Sequence, residues 1–327
     1  MKKGTMILGL ALIGGLVTAC VAGSPATTRT IHVDMPVSLR VDDLPWAMAV
    51  DALQKEGYDI ETSDFSDVDP NTVVAMEQGG LDITSISSQI GWSAVDKGLP
   101  LITFVDRSAT PFALVVGNEI QTCAQLDGKP VAIPGISTVT GAMLQVYLDR
   151  HCPGTEPDFL MIKKADSRMA ALLSDEATAA LLFLDDLLYL EHEQPGMYHS
   201  LIVFAEEFPG LEVNSYVVLR DFAEQYPELV KDLIRNMLTA RRELQDADAL
   251  QEAIVKYLGH EPDVARQMAE TYVQWSIWDA KGEYSLETVQ VSIDFLQEYG
   301  DLAAGLDAAD VADLSSYEAV LDEMSRQ

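Results

Sequence analysis

The run Gly135-Ile136-Ser137-Thr138-Val139-Thr140 joins an apolar strand-like segment to a helix-like one. Backbone N–H groups at a helix start have no partners within the helix, and the helix dipole adds positive potential there. Such a terminus attracts an anion, and the Ser137 and Thr138 hydroxyls can add donors; N-capping by either residue is the alternative. Ser85, Ser87, Ser88 and Gln89 follow another strand-like run in the same way, with turn formation as the alternative. Asp185 closes the apolar run Ala179 to Leu184, where a carboxylate suits a ligand amine or hydroxyl, or is simply solvated. Pro36 and Ser38 lie in the loop after the first strand. Trp46, on the next helix, could stack on a ligand or belong to the core. Asn214 and Ser215 open a later strand. Arg107 could pair with a carboxylate or sulfonate, or sit on the surface. Donor-rich helix starts combined with Asp185 favour a small zwitterion or polar heterocycle over a bare dianion.

Covalent and metal chemistry have no comparable support. His32, His151, His192, His199 and His260 lack metal-ligand spacing, and there is no Gly-x-Ser-x-Gly elbow, Cys-His pair or phosphate-binding glycine loop. No enzyme activity, metal or cofactor is expected. The net charge of −31 excludes nucleic acid, which needs a basic footprint. The acid excess fits a solvated surface, one suited to a salty medium.

The elements that would position these residues alternate strand and helix. Strands are expected at Thr30 to Val33, Tyr58 to Asp64, Leu81 to Ser85 and Leu101 to Val105. Helices fall between them, at Leu44 to Glu56, Asn71 to Gln78 and Gln89 to Lys97. Ala113 to Gly117 leads out of this unit. A second unit carries strands at Pro130 to Pro134, Phe159 to Lys163 and Ala179 to Leu184, with helices at Thr138 to Arg150 and Ser167 to Leu173. The segments Val73 to Ile83 and Arg168 to Ala179 echo each other: a helix, a tight turn, then a buried strand. Glu212 to Arg220 is a further strand, and from Asp221 the chain is helical, with Ala247 to Leu258 as one of its helices. This pattern predicts an α/β fold with parallel pairing in two lobes. The chain would cross between them near 113–118 and 205–213 and leave a ligand cleft. The division expected is 31–115 with 210–327 for lobe I and 118–207 for lobe II.

The first 19 residues carry Lys2-Lys3, a short apolar stretch and a small-residue end, the layout of a secretory signal peptide. The apolar stretch is shorter than the ~20 residues a spanning helix needs. Val17-Thr18-Ala19-Cys20 resembles the bacterial lipobox, which implies lipidation at Cys20 and a small, polar tether over residues 20–30; a plain signal with a coincidental cysteine is the alternative. Cleavage before Cys20 would remove Lys2 and Lys3 and no acid, taking −31 to −33. Cys123 and Cys152 remain, an even pair in an oxidising compartment. A disulfide between them would contribute about 3–4 kcal/mol in the chain-entropy picture; two unpaired buried thiols is the alternative.

The stretch Leu126-Asp127-Gly128-Lys129-Pro130-Val131-Ala132-Ile133-Pro134-Gly135-Ile136-Ser137-Thr138 resembles a segment of the solute-binding proteins for nitrate, sulfonates, taurine and thiamine-precursor pyrimidines. Met169 to Leu181, Met76 to Ile83, and Glu212 to Val218 followed by Tyr226 to Val230 are similar to other segments of that family, in order along the chain. The resemblance implies a two-lobed periplasmic-binding-protein-like fold with a helical C-terminal extension. It also implies a monomeric lipoprotein, anchored outside the cytoplasm, that closes on a small solute and delivers it to an ABC permease. A lipoprotein that signals to a membrane sensor, and one with no ligand, are the rivals. Asp175, Thr178, Phe183-Leu184-Asp185-Asp186 and the loop Asp34 to Arg40 depart from the family pattern, which bears on the ligand more than on the fold.

Overall fold

The computed structural model describes residues 29–65, 69–108, 110–279 and 281–326. The signal segment, Cys20 and the tether up to residue 28 lie outside them.

Ten strands form two sheets. They are β1 (Ile31–Asp34), β2 (Ile60–Ser63), β3 (Ile83–Ser87), β4 (Leu101–Asp106), β5 (Phe112–Gly117), β6 (Pro130–Ile133), β7 (Asp158–Met161), β8 (Ala179–Phe183), β9 (Tyr198–Val203) and β10 (Asn214–Leu219). The first sheet has the order β2-β1-β3-β10-β4 and the second β7-β6-β8-β5-β9. Each is parallel except for one strand, β10 or β5, inserted antiparallel at the fourth position. The inserted strands are LITFVD's partner NSYVVL and the fully buried FALVVG. Apolar runs of this kind suit strands covered on both faces.

The chain passes from the first sheet to the second between Asp106 and Phe112, and returns between Val203 and Asn214. The Thr110 hydroxyl donates to the Leu211 carbonyl at 3.3 Å and so ties the two crossings together. The expected boundary at 115 therefore falls inside β5. The second half also contains a helix, Leu184–Glu193, and the strand β9, neither of which the sequence pattern singled out. β9 is mostly half-buried along its length, so it carries no clean alternation.

Most strand and helix starts agree with expectation to within a few residues. The helix expected over 247–258 ends at Ala253, continues as one wide turn over Ile254–Leu258 and stops at Gly259, whose φ is +74°. The C-terminal helices do not all stay with the first sheet. Pro227–Glu243 packs on Leu44–Glu56, whereas Pro262–Trp275 packs on Leu184–Glu193 and Leu286–Tyr299 on Val139–His151. Val41 and Leu44 of the first half share an apolar cluster with Val115, Leu182, Leu187 and Tyr272. Cys123 and Cys152 form the expected disulfide, with Cα atoms 6.0 Å apart, pinning the end of helix Val139–His151 to the strand-connecting segment before β6.

Candidate ligand-binding site

The carboxyl ends of β3 and β6 each feed a helix, Ser88–Asp96 and Val139–His151, and the two helix starts face each other across the halves. On the second half, Thr138 is the N-cap: its hydroxyl accepts from Gly141 N–H at 3.2 Å and donates to the Gly135 carbonyl at 2.8 Å. Capping is thus a definite role of Thr138. The loop folds back so tightly on the first turn that a Cβ on Gly141 would lie 2.0 Å from the Gly135 oxygen. Ser137 is exposed, and its carbonyl accepts from Gln89 Nε2 of the other half at 2.9 Å. That bond closes one side of the cleft.

A groove of about 930 Å³ runs beside this contact. Gln89, Ile90, Lys97, Ile136, Ser137 and Lys163 are among its walls, together with Gly135 and Thr138. The other residues expected at the site are placed elsewhere. Ser88 is turned inward, 1% exposed, with its hydroxyl 2.7 Å from that of Ser215. Ser87 caps the facing helix by position without a side-chain bond and pairs with Asn214 across β3 and β10. Ser85 is half-buried, 3.5 Å from an Arg107 guanidinium nitrogen. Pro36 is half-buried and Ser38 exposed in the loop after β1.

Trp46, Asp185 and Arg107 are corrected. Trp46 is 1% exposed, donates to the Asp34 carbonyl at 2.9 Å and stacks on Tyr216 at 4.4 Å, so it belongs to the core. Asp185 does not face an open cleft. One carboxylate oxygen accepts from Val41 N–H of the first half at 2.9 Å, and the other from the Tyr272 hydroxyl. Beside it, Arg40 donates to Asp186 at 3.0 Å and lies 4.0 Å above the Phe183 ring. Charge, hydrogen bonding and a cation–π contact thus join the halves at this point.

Arg107 extends the same polar layer, 2.6 Å from Asp43 and 3.0 Å from Asp42. It is therefore paired inside the protein and does not reach out to a ligand. Burial works against its charge, but Asp42 and Asp43 outweigh that and hold its pKa above the ordinary value. Neither Asp42 oxygen receives a well-directed hydrogen bond among the described residues, although the residue is buried. Burial raises the Asp43 carboxyl to about 6, with Asp42 adding to it against the pull of Arg107. Burial likewise raises Asp185 to about 7, Asp42 reinforcing it and the bonds from Tyr272 and Val41 opposing it.

Arg40, Asp42, Asp43, Lys97 and Lys163 escaped the sequence reading. An acidic pair carries no signal in a chain with 52 Asp and Glu, and the lysines stand on helix and strand ends whose positions relative to the cleft depend on the sheet order. Among the described residues no group of three His, Cys, Asp or Glu is placed to hold a metal.

Comparison with known proteins places this arrangement. The family profile described as "NMT1/THI5 like" matches residues 53–246. The taurine-binding periplasmic protein of Escherichia coli (strain K12) is 25% identical over 219 residues, 65% of this chain and 67% of that protein. Among solved structures, a zinc-bound ligand-binding component of an ABC-type import system from Staphylococcus aureus is similar with a TM-score of 0.73. It is 14% identical, over 89% of this chain and 99% of that one. The periplasmic nitrate-binding protein of Synechocystis PCC 6803 is similar with a TM-score of 0.72 at 13% identity, over 91% of this chain and 89% of that one.

Proposed function

The chain belongs to the NMT1/THI5-like family and has the periplasmic-binding-protein-like fold, and on that premise we propose that it is the solute-binding lipoprotein of an ABC importer. The observation that carries this reading is the groove between the halves, which brings a capped helix start together with Gln89 and Ser137. Binding, rather than catalysis, is its work.

The solute is a small polar anion or zwitterion of the sulfonate, taurine, nitrate or pyrimidine class. The helix start at Thr138 favours a negative group, and the names of the taurine- and nitrate-binding relatives support the same class. Gly135, Ser137 and Thr138 contact the solute from the second half. Ser85, Ser87, Asn214 and Ser38 offer donors on the first half when the cleft is open, and Pro36 adds an apolar contact beside Ser38. The two crossings act as the hinge. Closure is completed by the Gln89–Ser137 and Arg40–Asp186 contacts, which form only when the halves approach. Cys20 carries the lipid that keeps the receptor at the outer face of the membrane, within reach of a permease; among the described residues no helix is long and apolar enough to cross a membrane.

Isothermal titration against taurine, alkanesulfonates, nitrate and pyrimidines tests the reading, together with mass spectrometry of any molecule that copurifies. Heat of binding from one class is expected. Silence from the whole panel, with nothing copurifying, overturns it.

A further inference from the structure

We propose that the last third of the chain is a clasp: it carries the backbone between the halves twice more and so limits how far the cleft opens about the two crossings. Helix Pro227–Glu243 lies on the first half, against Leu44–Glu56. Helix Pro262–Trp275 lies on the second, against Leu184–Glu193, and Leu286–Tyr299 packs there on Val139–His151. The chain then comes back. Ala308–Val311 packs beside β4, where Asp313 N–H donates to the Thr103 carbonyl at 3.0 Å, and Ser315–Ser325 packs on Pro227–Glu243.

The first of these links is fastened at both ends. Before it, the Tyr257 hydroxyl donates to Asp51 of Leu44–Glu56 at 2.7 Å. Past it, Tyr272 is 1% exposed and donates to Asp185 of the second half. Met268 and Tyr272 share one buried apolar cluster with Val41 and Leu44 of the first half and Leu187 and Leu188 of the second. Swinging the halves apart must break a fastening or expose that cluster, and both resist. The link itself is Gly259-His260-Glu261, between the wide turn and Pro262. A segment that short spans at most about 10 Å even when fully extended, so it holds little slack. The return link, between Tyr299 and Ala308, contains the exposed Gly305 at φ +103°. Gly259 and Gly305 are the positions best able to absorb the dihedral change that a limited opening needs.

The test slackens the first link by a flexible glycine-serine insertion of about eight residues between Gly259 and His260. Opening is read by pulsed electron paramagnetic resonance between nitroxide labels at Lys97→Cys and Lys163→Cys, exposed residues on facing walls of the groove. The mature chain carries Cys20→Ser for this purpose, no solute is added, and the Cys123–Cys152 pair is bonded and takes no label. The parent is expected to give one narrow distance, and the insertion to add a longer one. Tyr257→Phe, which removes a single fastening, is expected to populate the longer distance severalfold above the parent. Melting curves show which proteins are folded; if the insertion is not, Tyr257→Phe decides. An insertion whose distances match the parent's overturns the inference, and so does a parent already as broad as the insertion. Neither result touches the solute-receptor reading, which is tested by titration alone.

Discussion

Asp185 is buried between the halves, accepts two hydrogen bonds, and has a pKa raised to about 7 by burial. Its unfolded value is near 3.9. The folded protein therefore binds a proton that the unfolded chain releases across that interval. The stabilisation is complete below about pH 4 and is lost as pH rises through 7; at 1.36 kcal/mol per pH unit it is on the order of a few kcal/mol. Melting temperature should thus fall as pH is raised from 5 to 8. Asp43, raised to about 6, adds to this below pH 7. Asp185→Asn, which imitates the protonated acid, is expected to flatten the trend; a variant as pH-sensitive as the parent would remove Asp185 as its cause. The sequence singled out Asp185 because it ends an apolar run, but pointed it at a ligand or solvent, whereas it is buried between the halves. Its partners were not legible: Val41 lies 144 residues away and Tyr272 87 residues away, distances over which no local pattern carries information.

Local signals did well for elements whose ends are chemically marked. The helix Leu44–Glu56 ends at Gly57, which takes φ +100° as the left-handed C-cap. Helix Leu184–Glu193 has no stop of that kind and begins directly at the end of β8, so it merged with the strand before it. The loop before Val139–His151 shows how one residue can decide an element. Gly141 sits in the first helical turn, where alanine would ordinarily be favoured by about 1 kcal/mol. Here the added methyl would meet the Gly135 and Ile136 carbonyls, at 2.0 and 2.8 Å. Gly141→Ala is therefore expected to destabilise the protein by about 2–3 kcal/mol, read as a lower denaturant midpoint with an unchanged slope. A more stable variant would show that the loop does not press on the helix as described.

At the scale of the whole molecule, charge and topology set the behaviour. A chain with a net charge of −31 repels itself when compact. Raising ionic strength from 0.15 M to 1 M shortens the screening length from about 8 Å to about 3 Å. Melting temperature should rise over that range in sodium chloride, and a temperature indifferent to salt would mean that the acids are already compensated. The echo between the halves was visible in the sequence as two helix-turn-strand segments, and both sheets indeed share one order. The exchange of β5 and β10 was not visible, because strand order is decided by pairing and leaves no local trace. That exchange has a consequence for how the protein is made. Every strand of the second sheet comes from one continuous stretch, Phe112 to Val203, whereas the first sheet keeps an empty place between β3 and β4 until β10 has been synthesised. As the chain emerges amino end first, the lobe that begins earlier must wait for the one that begins later. The second lobe can complete its sheet alone, and it then supplies the anchored end from which β10 is laid into the gap. Birth order and folding order are reversed.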